Sequence, residues 1–155
     1  MNEPTPKVTI ETLTAYSPED ATTIGHLLSI LSDSFSDKPV EKQVLTDIIT
    51  SPYHDQLVAR DNNGTIIGTL TVSLTMGAGV IRKAWVEDFI VDPATRGMGV
   101  GSQLWDTLIT WCRDHQVSSL DFTSRPNKVE AQHFYLKRGA VIRETNYFRK
   151  HIDSI

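Results

Sequence analysis

The chain has 155 residues, which suits one domain over residues 1–155 and is long enough to bury a core without disulfides or metal ions. Hydrophobic residues make up 39% and charged residues 22% of the sequence, so the chain is neither disordered nor fibrous. The net charge of −4 argues against a nucleic acid as partner, because proteins that bind nucleic acids usually present a basic surface.

Three features bear on the location of the protein. Cys112 is the single cysteine, so an internal disulfide is excluded and a reducing cytoplasm is the expected compartment. The amino terminus lacks the basic and apolar regions of a signal peptide. Residues 62–81 carry no charge over a length that could span a membrane, but their apolar residues alternate with polar ones. This alternation predicts a strand, and we expect no membrane partner.

The amino-terminal part predicts a short strand followed by two helices. Residues 7–13 alternate apolar and polar side chains, which is typical of a strand. From Pro18 the apolar residues follow a helical period, and Ser17 precedes them as a helix-capping residue. The apolar spacing of residues 40–49 predicts a second helix, which ends before Pro52.

Three strands are predicted next. Residues 57–60 run into Asp-Asn-Asn-Gly at positions 61–64, a strong signal for a hairpin turn. The following strand places aliphatic residues on one face and mostly threonines on the other. Residues 76–79 include two glycines and turn the chain into a strand from about residue 83 to 92.

Beyond this strand, helices and strands alternate. We predict a helix after the loop that follows residue 92, a strand over residues 117–123, a helix that ends at Gly139, and a last strand over residues 141–148. The pattern predicts an α/β (α+β) protein with a mixed, mostly antiparallel central sheet flanked by helices. The first of these helices has an apolar face formed by Leu104, Leu108, Trp111 and Cys112.

The most informative segment, residues 91–102, lies between a predicted strand and a predicted helix. It contains three alternate glycines, and we expect the helix to begin at the last of them, Gly101. Glycines allow successive backbone N–H groups to turn toward one anion, because no Cβ blocks the approach. The helix adds the positive end of its dipole, and Arg96 adds a full charge at the entrance of the loop. The segment therefore predicts phosphate binding, and a loop that merely turns the chain is the alternative.

The loop differs from two other phosphate motifs. A Walker loop requires a Gly-Lys pair, which the sequence lacks. A dinucleotide fingerprint requires G-x-G-x-x-G directly after its strand, whereas the glycines here alternate and position 102 is serine. Asp121 lies where a ribose-binding acid would be sought, but in the middle of a predicted strand. A nucleotide-dependent oxidoreductase is therefore an alternative with weaker support.

A second segment, residues 130–140, combines an alanine, an aromatic pair and a closing glycine. Together with the glycine loop, it resembles the GCN5-related N-acetyltransferase (GNAT) superfamily. The acetyl-CoA motif of that family, R/Q-x-x-G-x-G/A, is matched by Arg96, Gly99 and Gly101. Its A-x-x-F-Y-x-x-x-G pattern is matched by residues 131–139. The predicted order of elements also resembles the acyl-CoA N-acyltransferase (GNAT) fold over nearly the whole chain.

The resemblance implies acetyl-CoA as co-substrate and indicates the residues that would hold it. In the family, the strand before the loop pairs with the pantetheine arm, and the N–H groups of the loop hold the pyrophosphate. Tyr135 matches a tyrosine that protonates the departing thiolate. The family often has an asparagine seven residues before that tyrosine; here Lys128 holds the position and Asn127 precedes it, so Asn127 is the candidate. The other candidates for cofactor binding are Phe89, Ile90, Val91, Arg96, Gly97, Met98, Gly99, Val100, Gly101 and Ser102.

The reaction also needs a base, because an amine with a pKa of about 10.4 must lose a proton before it attacks. Glu87 is the first candidate and Asp88 the second, since both lie in the predicted strand before the loop. Neighbouring residues of a strand point to opposite faces, so we expect at most one of them in a given pocket. Alternatively, these two residues are solvated surface residues or form an ion pair with a nearby basic residue.

The expected acceptor is a small-molecule amine or a protein amino group. The resemblance places the acceptor wall on the first two helices, and Asp33 and Asp37, together with the two carboxylates above, favour a cationic acceptor. The five histidines lack ligand spacing, so no metal is expected. A non-catalytic module that senses acyl-CoA is an alternative to the enzyme. The sequence leaves the oligomeric state open, with a homodimer among the alternatives.

Overall fold

The computed structural model describes residues 6–153, apart from the side chains of Val80 and Ile81. The chain divides into a larger unit that ends at Phe122 and a smaller unit that begins at Thr123. The smaller unit contains helix α4 (Val129–Lys137). The larger unit contains β1 (Thr9–Thr12), α1 (Pro18–Leu31), α2 (Lys42–Thr50), β2 (His54–Arg60), β3 (Ile66–Gly77), β4 (Val80–Val91), a 3-10 turn (Pro93–Thr95), α3 (Val100–Asp114) and β5 (Ser119–Asp121).

The five strands form one sheet in the order β1-β2-β3-β4-β5. Strands β1 to β4 pair antiparallel, and β5 joins β4 in parallel. The predicted turn between β2 and β3 forms at residues 61–64, where Gly64 has a φ of 79° and Asp61 Oδ1 accepts the N–H of Asn63 at 2.9 Å. The structure therefore confirms the predicted mixed, mostly antiparallel sheet.

Helices α1 and α2 pack on one face of this sheet. Helix α1 begins as predicted, because Ser17 Oγ accepts the backbone N–H of Asp20 at 3.0 Å, a cap that contributes about 1 kcal/mol. Each fully buried aliphatic side chain below the helices contributes about 1.5–3 kcal/mol, which anchors them to the sheet. The buried cluster on this face consists of Leu13, Ala21, Ile24, Leu27, Leu45, Val58 and Ile66.

Helix α3 packs on the opposite face. A Cβ added to Gly68 of β3 would lie 3.0 Å from Leu104 Cδ1 and 3.1 Å from Val100 Cγ1, so the helix approaches the strand closely. The next residue of β3, Thr69, is fully buried on the other face, where α1 and α2 cover the row of threonines. The predicted apolar face of α3 is confirmed, since Leu104, Leu108, Trp111 and Cys112 are all buried.

The bounds of several predicted strands differ from the observed ones: β1 is limited to Thr9–Thr12 within the predicted 7–13, and β2 begins at His54 rather than at residue 57. Strand β4 begins at Val80 rather than near residue 83, because it continues directly from the β3 turn. Strand β5 is limited to Ser119–Asp121, within the predicted 117–123. The predicted last strand is wrong, since residues 138–153 adopt no regular secondary structure. Residues 141–148 hold their apolar side chains in two pairs separated by polar residues, so they lack the alternation that buries one face of a strand.

The uncharged stretch at residues 62–81 forms the end of the β2–β3 turn, all of β3 and the start of β4. The strand predicted there is therefore confirmed. Within residues 6–153, no helix is long and apolar enough to cross a membrane.

Candidate active site

The second half of β4 leads directly into the glycine loop. Strand β5 pairs with β4 at residues 83–85, and residues 86–91 of β4 extend past these pairs. The end of β4 is held to β3, where the N–H of Asp92 donates to the carbonyl of Ile67 at 2.8 Å. The candidates Phe89, Ile90 and Val91 thus lie on a stretch of backbone that β5 does not reach.

The loop after β4 has a defined conformation. Asp92 Oδ1 accepts the N–H of Ala94 at 2.9 Å and starts the 3-10 turn at Pro93–Thr95. Gly97 and Gly99 have φ values of 84° and 74°, in the left-handed region that favours glycine. A Cβ on either glycine would meet no atom within 4 Å, so the backbone conformation and not packing requires glycine here.

The amino-terminal end of α3 suits an anion. The helix begins at Val100, one residue earlier than predicted, and its N-cap is Gly99, which provides no side-chain hydrogen bond. Its first turn holds no acidic residue, although acidic residues are favoured at this position. Val100 is buried and fixes the helix end, whereas Arg96 is exposed at the entrance of the loop. The loop and helix end together can therefore accept a phosphate group, such as those of CoA.

Asp121, the residue weighed as a ribose ligand, has a different partner. It lies in β5 in register with Trp85 of β4, and its carboxylate forms an ion pair with Lys83. The carboxylate is therefore engaged within the sheet, which removes support from the dinucleotide alternative.

A β-bulge interrupts the regular alternation of β4 at the two candidate bases. Thr69 pairs with Ile90 and Thr71 pairs with Glu87, so β4 contains one residue more than β3 between these pairs. Asp88 lies in this bulge with a φ of 54°, rare for a residue other than glycine. The regular alternation on which the expected opposite faces depended is therefore interrupted by the extra residue, and of the two carboxylates only Asp88 lines the cavity described below.

The two carboxylates nevertheless have different surroundings. Glu87 is exposed, and its Oε1 accepts a hydrogen bond from Trp85 Nε1 at 2.6 Å. Asp88 is half-buried and lines a cavity of about 390 Å³. Burial, and to a lesser extent the nearby charge of Glu87, raises the pKa of the Asp88 carboxyl. Of the two carboxylates, Asp88 is therefore the one that lines the cavity.

The cavity lies between α1, α2, the segment that joins them and the sheet. Its walls are mostly aliphatic, with Phe35 and Val44 partly exposed at the surface and Ile24 and Leu45 buried. The first two helices thus line a cavity, and their role as the acceptor wall stays a prediction. The remaining apolar lining consists of Leu28, Pro39, Val40 and Ile48.

A chain of hydrogen bonds forms the polar part of this wall. Thr71 Oγ1 donates to Gln56 Oε1 at 2.7 Å, Gln56 Nε2 donates to Thr69 Oγ1 at 2.7 Å, and Thr69 donates to the carbonyl of Leu57 at 2.9 Å. Gln56 and Thr69 are buried, so this chain satisfies polar groups that would otherwise destabilise the fold. Its direction is fixed by the last bond, because a carbonyl can only accept.

The two acidic residues expected to favour a cationic acceptor from the segment after α1 do not line the cavity. Asp33 and Asp37 lie outside the lining, and Asp37 Oδ2 lies 3.0 Å from His26 Nδ1 at an exposed position. The charged residues of the lining are Lys38, Glu41 and Asp88. The charge expected from Asp33 and Asp37 is thus absent from the wall, because the segment after α1 turns these side chains elsewhere.

Helix α4 of the smaller unit carries the candidate Tyr135. The helix ends at Lys137, and the predicted stop, Gly139, follows two residues later with a φ of 86°. Tyr135 is half-buried, its ring contacts that of Phe134 edge to face at 5.5 Å, and burial raises the pKa of its phenol. Asn127 is exposed in the turn before α4, where the N–H of Lys128 donates to the carbonyl of Arg125 at 3.0 Å.

Several residues of the site lie outside the sequence-based candidates. Gln56 and Thr71 belong to no recognised motif. Only the threonine-rich face of β3 could have indicated the polar wall of the cavity. Gly25 had a clearer signal, since a glycine within a helical pattern often marks a close approach. A Cβ on Gly25 would lie 1.9 Å from the carbonyl oxygen of Lys38, so glycine is required there. Among residues 6–153, no group of three or more His, Cys, Asp or Glu side chains could hold a metal ion.

The sequence model of the Acetyltransferase (GNAT) family matches residues 24–140. The chain belongs to this family. The match covers the cavity walls, the glycine loop and α4 of this GNAT protein. Among curated proteins, no sequence matches the chain.

Solved structures share the GNAT fold at low sequence identity. An acetyltransferase from Trypanosoma brucei is 20% identical, with a TM-score of 0.72 and coverage of 94% of this chain and 100% of that chain. A transcriptional regulator from Bacillus halodurans C-125 is 22% identical, with a TM-score of 0.77 and coverage of 94% and 100%. An aminoglycoside acetyltransferase from an uncultured soil metagenomic sample is 17% identical, with a TM-score of 0.75 and coverage of 94% and 97%.

Proposed function

We propose that this GNAT-family chain transfers the acetyl group of acetyl-CoA to a primary amine by direct attack in a ternary complex. The acceptor is a small molecule or a protein amino group. One observation carries the proposal: Asp88 lines a cavity that opens to the surface and lies on β4, the strand that continues into the glycine loop. An acceptor cavity and a candidate phosphate loop are thereby joined by one strand.

The glycine loop is the proposed site for the CoA phosphates. The left-handed Gly97 and Gly99, the uncapped start of α3 and the exposed Arg96 support this role. The backbone of residues 89–91, beyond the end of β5, is proposed to pair with the pantetheine arm. Asn127 is proposed to contact the same arm.

Asp88 is the base that the geometry supports best. Acetyl-CoA supplies a thioester; the amine nitrogen forms a bond to the acetyl carbon, and the carbon–sulfur bond breaks. Asp88, directly or through water, accepts the proton that the nitrogen loses. Its raised pKa makes this carboxylate a stronger base than an exposed one. Glu87 remains the competing candidate, with a position at the surface and a bond to Trp85.

Two further groups are proposed to stabilise the reaction. A backbone N–H at Ile90 or Val91 would donate to the oxyanion that forms on the acetyl oxygen. The phenol of Tyr135 would give its proton to the departing thiolate. Its raised pKa keeps that phenol protonated at neutral pH, as an acid requires. The neighbour described as an aminoglycoside acetyltransferase acts on an acceptor class that carries amino groups, which agrees with an amine acceptor here.

Thiol release from acetyl-CoA in the presence of a panel of amines tests the proposal. Asp88→Asn should lower kcat by about 10²- to 10⁴-fold, the usual contribution of a general base. Glu87→Gln is the matched control on the neighbouring residue and should retain kcat within a few-fold. Tyr135→Phe should lower kcat while the affinity for CoA stays unchanged.

The affinity for CoA, measured by calorimetry, separates the outcomes. If Glu87→Gln removes activity and Asp88→Asn does not, the base assignment is reversed. If CoA binds but none of the amines causes thiol release, the chain is a binding module of the GNAT fold. If CoA does not bind, the proposed function is wrong.

A further inference from the structure

The cavity beside Asp88 has the dimensions of a small-molecule site. Its volume of about 390 Å³ lies near the lower end of the range of about 300–1,000 Å³ found for ligand sites. It is bounded by α1 and α2 on one side and by β2 to β4 on the other, and it opens to the surface. A folded protein segment would not fit in it, whereas one short side chain or a small amine would.

The polar wall of the cavity can accept hydrogen bonds from a ligand. Thr71 has one hydroxyl proton, and that proton is donated to Gln56 Oε1. Toward the cavity Thr71 can therefore only accept, and the ionised carboxylate of Asp88 also accepts. The polar end of a ligand between them must donate hydrogen bonds, which an amine does and a carboxylate or phosphate does not.

The remaining walls select the body of the ligand. Ile24, Leu45 and Ile48 form an aliphatic surface, and Phe35 and Val44 continue it to the opening. A hydrocarbon gains free energy by leaving water for such a surface, whereas hydroxyl or ammonium groups placed against it lose their hydrogen bonds. Lys38 and Glu41 have opposite charges, so they add little net charge to the lining.

We propose that the acetyl acceptor is a small primary amine with an apolar alkyl or aralkyl body. The nitrogen lies at Asp88 and Thr71, and a body of about six to ten carbon atoms lies between α1 and α2. This inference rests on the proposed function and names the acceptor class of the same site. It disfavours polyamines and aminoglycosides, whose bodies carry charges or hydroxyl groups.

A homologous series of amines tests the inference. From propylamine to hexylamine, kcat/KM for thiol release should rise about 3- to 4-fold with each added methylene, because each one is removed from water. Hexylamine and 2-phenylethylamine should exceed spermidine and kanamycin by at least about 10-fold in kcat/KM. A series without any rise, or a preference for the polar amines, would overturn the inference and leave the proposed function intact.

A pair of variants tests whether the preference for apolar amines arises from the cavity. Val44 is 48% exposed and lines the opening, so Val44→Lys can fold and should lower kcat/KM for hexylamine about 10-fold. Ile30 is 41% exposed on α1 and lies outside the lining, so Ile30→Lys should retain the wild-type value. Equal effects of the two variants would contradict the proposed site.

If no amine causes thiol release, calorimetric titration of hexylamine into the protein with CoA measures whether the amine binds. Binding that Val44→Lys weakens, without thiol release from any amine, would support the apolar amine cavity and overturn catalysis. If hexylamine neither binds nor reacts, the inference is overturned.

Discussion

Arg60 joins three elements of the larger unit through its guanidinium group. Its Nη1 and Nη2 each donate to one carboxylate oxygen of Asp20 at 2.8 Å, and its Nε donates to Glu11 at 2.6 Å. The side chains of Arg60 and Asp20 are only 20% and 15% exposed, so solvent screens this pair less than a surface pair. The hydrogen bond from Arg60 lowers the pKa of Asp20. The first turn of α1 is thereby fixed to β2.

This pair predicts a pH-dependent stability. A carboxyl with a lowered folded-state pKa stabilises the fold above its ordinary pKa of about 3.9, and this contribution is lost as the pH falls through the lowered value. Asp20→Asn should therefore reduce the free energy of unfolding at pH 7 by about 1–2 kcal/mol. The difference between the two proteins should shrink as the pH falls below about 4.

Urea titrations from pH 7 to pH 3 measure this difference. Glu19→Gln is the matched control, because Glu19 is an exposed acidic residue in the same first turn of α1. Its replacement should change stability by no more than about 0.3–1 kcal/mol, the effect of the helix dipole. A loss for Asp20→Asn that is the same at every pH would contradict the charge-based explanation.

At the scale of elements, Gly25 lets the connection between α1 and α2 cross the helix closely. A Cβ on Gly25 would lie 1.9 Å from the carbonyl oxygen of Lys38, and the N–H of Val40 donates to the carbonyl of Ala21 at 3.0 Å. Alanine would improve helix propensity by about 1 kcal/mol, but the contact with rigid backbone would force the connection away. This connection also lines the cavity beside Asp88.

We expect Gly25→Ala to destabilise the protein by about 1–2 kcal/mol, since the displacement of the connection outweighs the gain in propensity. Thermal unfolding and urea denaturation measure the change. Gly79→Ala serves as the control, because a Cβ there would meet no atom within 4 Å. A stabilised Gly25→Ala protein would show that the connection moves freely, and the cavity wall would then be adaptable.

Elements with a local signal were predicted from the sequence, and those that depend on long-range contacts were not. The start of α1 follows from the Ser17 cap, and the end of α4 follows from Gly139, because both signals involve neighbouring residues. The bulge at Asp88 depends on how β4 pairs with β3, a register that Asp88 itself does not encode. The direction of the Gln56 hydrogen bonds likewise depends on residues from two strands.

At the scale of the whole molecule, the glycine loop and the carboxyl-terminal residues show where a sequence motif predicts the structure and where apolar content alone does not. The R/Q-x-x-G-x-G/A motif lies on a loop with left-handed glycines directly before α3, a local property, and its role in binding CoA stays a prediction. Residues 141–148 were predicted as a strand from their apolar content. In the structure Val141, Ile142 and Phe148 are 75%, 76% and 87% exposed, so the apolar content alone did not produce a buried element.

The loop also predicts which nucleotide cofactor stabilises the whole protein. A ligand that binds the native state at 100 times its Kd adds about 2.7 kcal/mol of stability. For a chain of this length, CoA should then raise Tm by about 5–10 °C. NAD at the same concentration should leave Tm unchanged, because the loop lacks the dinucleotide spacing and Asp121 is paired with Lys83.

Two arginine variants attribute this shift to the loop. Arg96→Gln should reduce the shift in Tm caused by CoA, because it removes a positive charge at the phosphate entrance. Arg113→Gln removes an exposed arginine from the other end of α3 and should retain the full shift. Equal shifts with CoA and NAD would return the dinucleotide alternative to consideration. A normal CoA shift in Arg96→Gln would instead assign phosphate binding to the backbone of the loop and the start of α3 alone, since those groups are unchanged by the substitution.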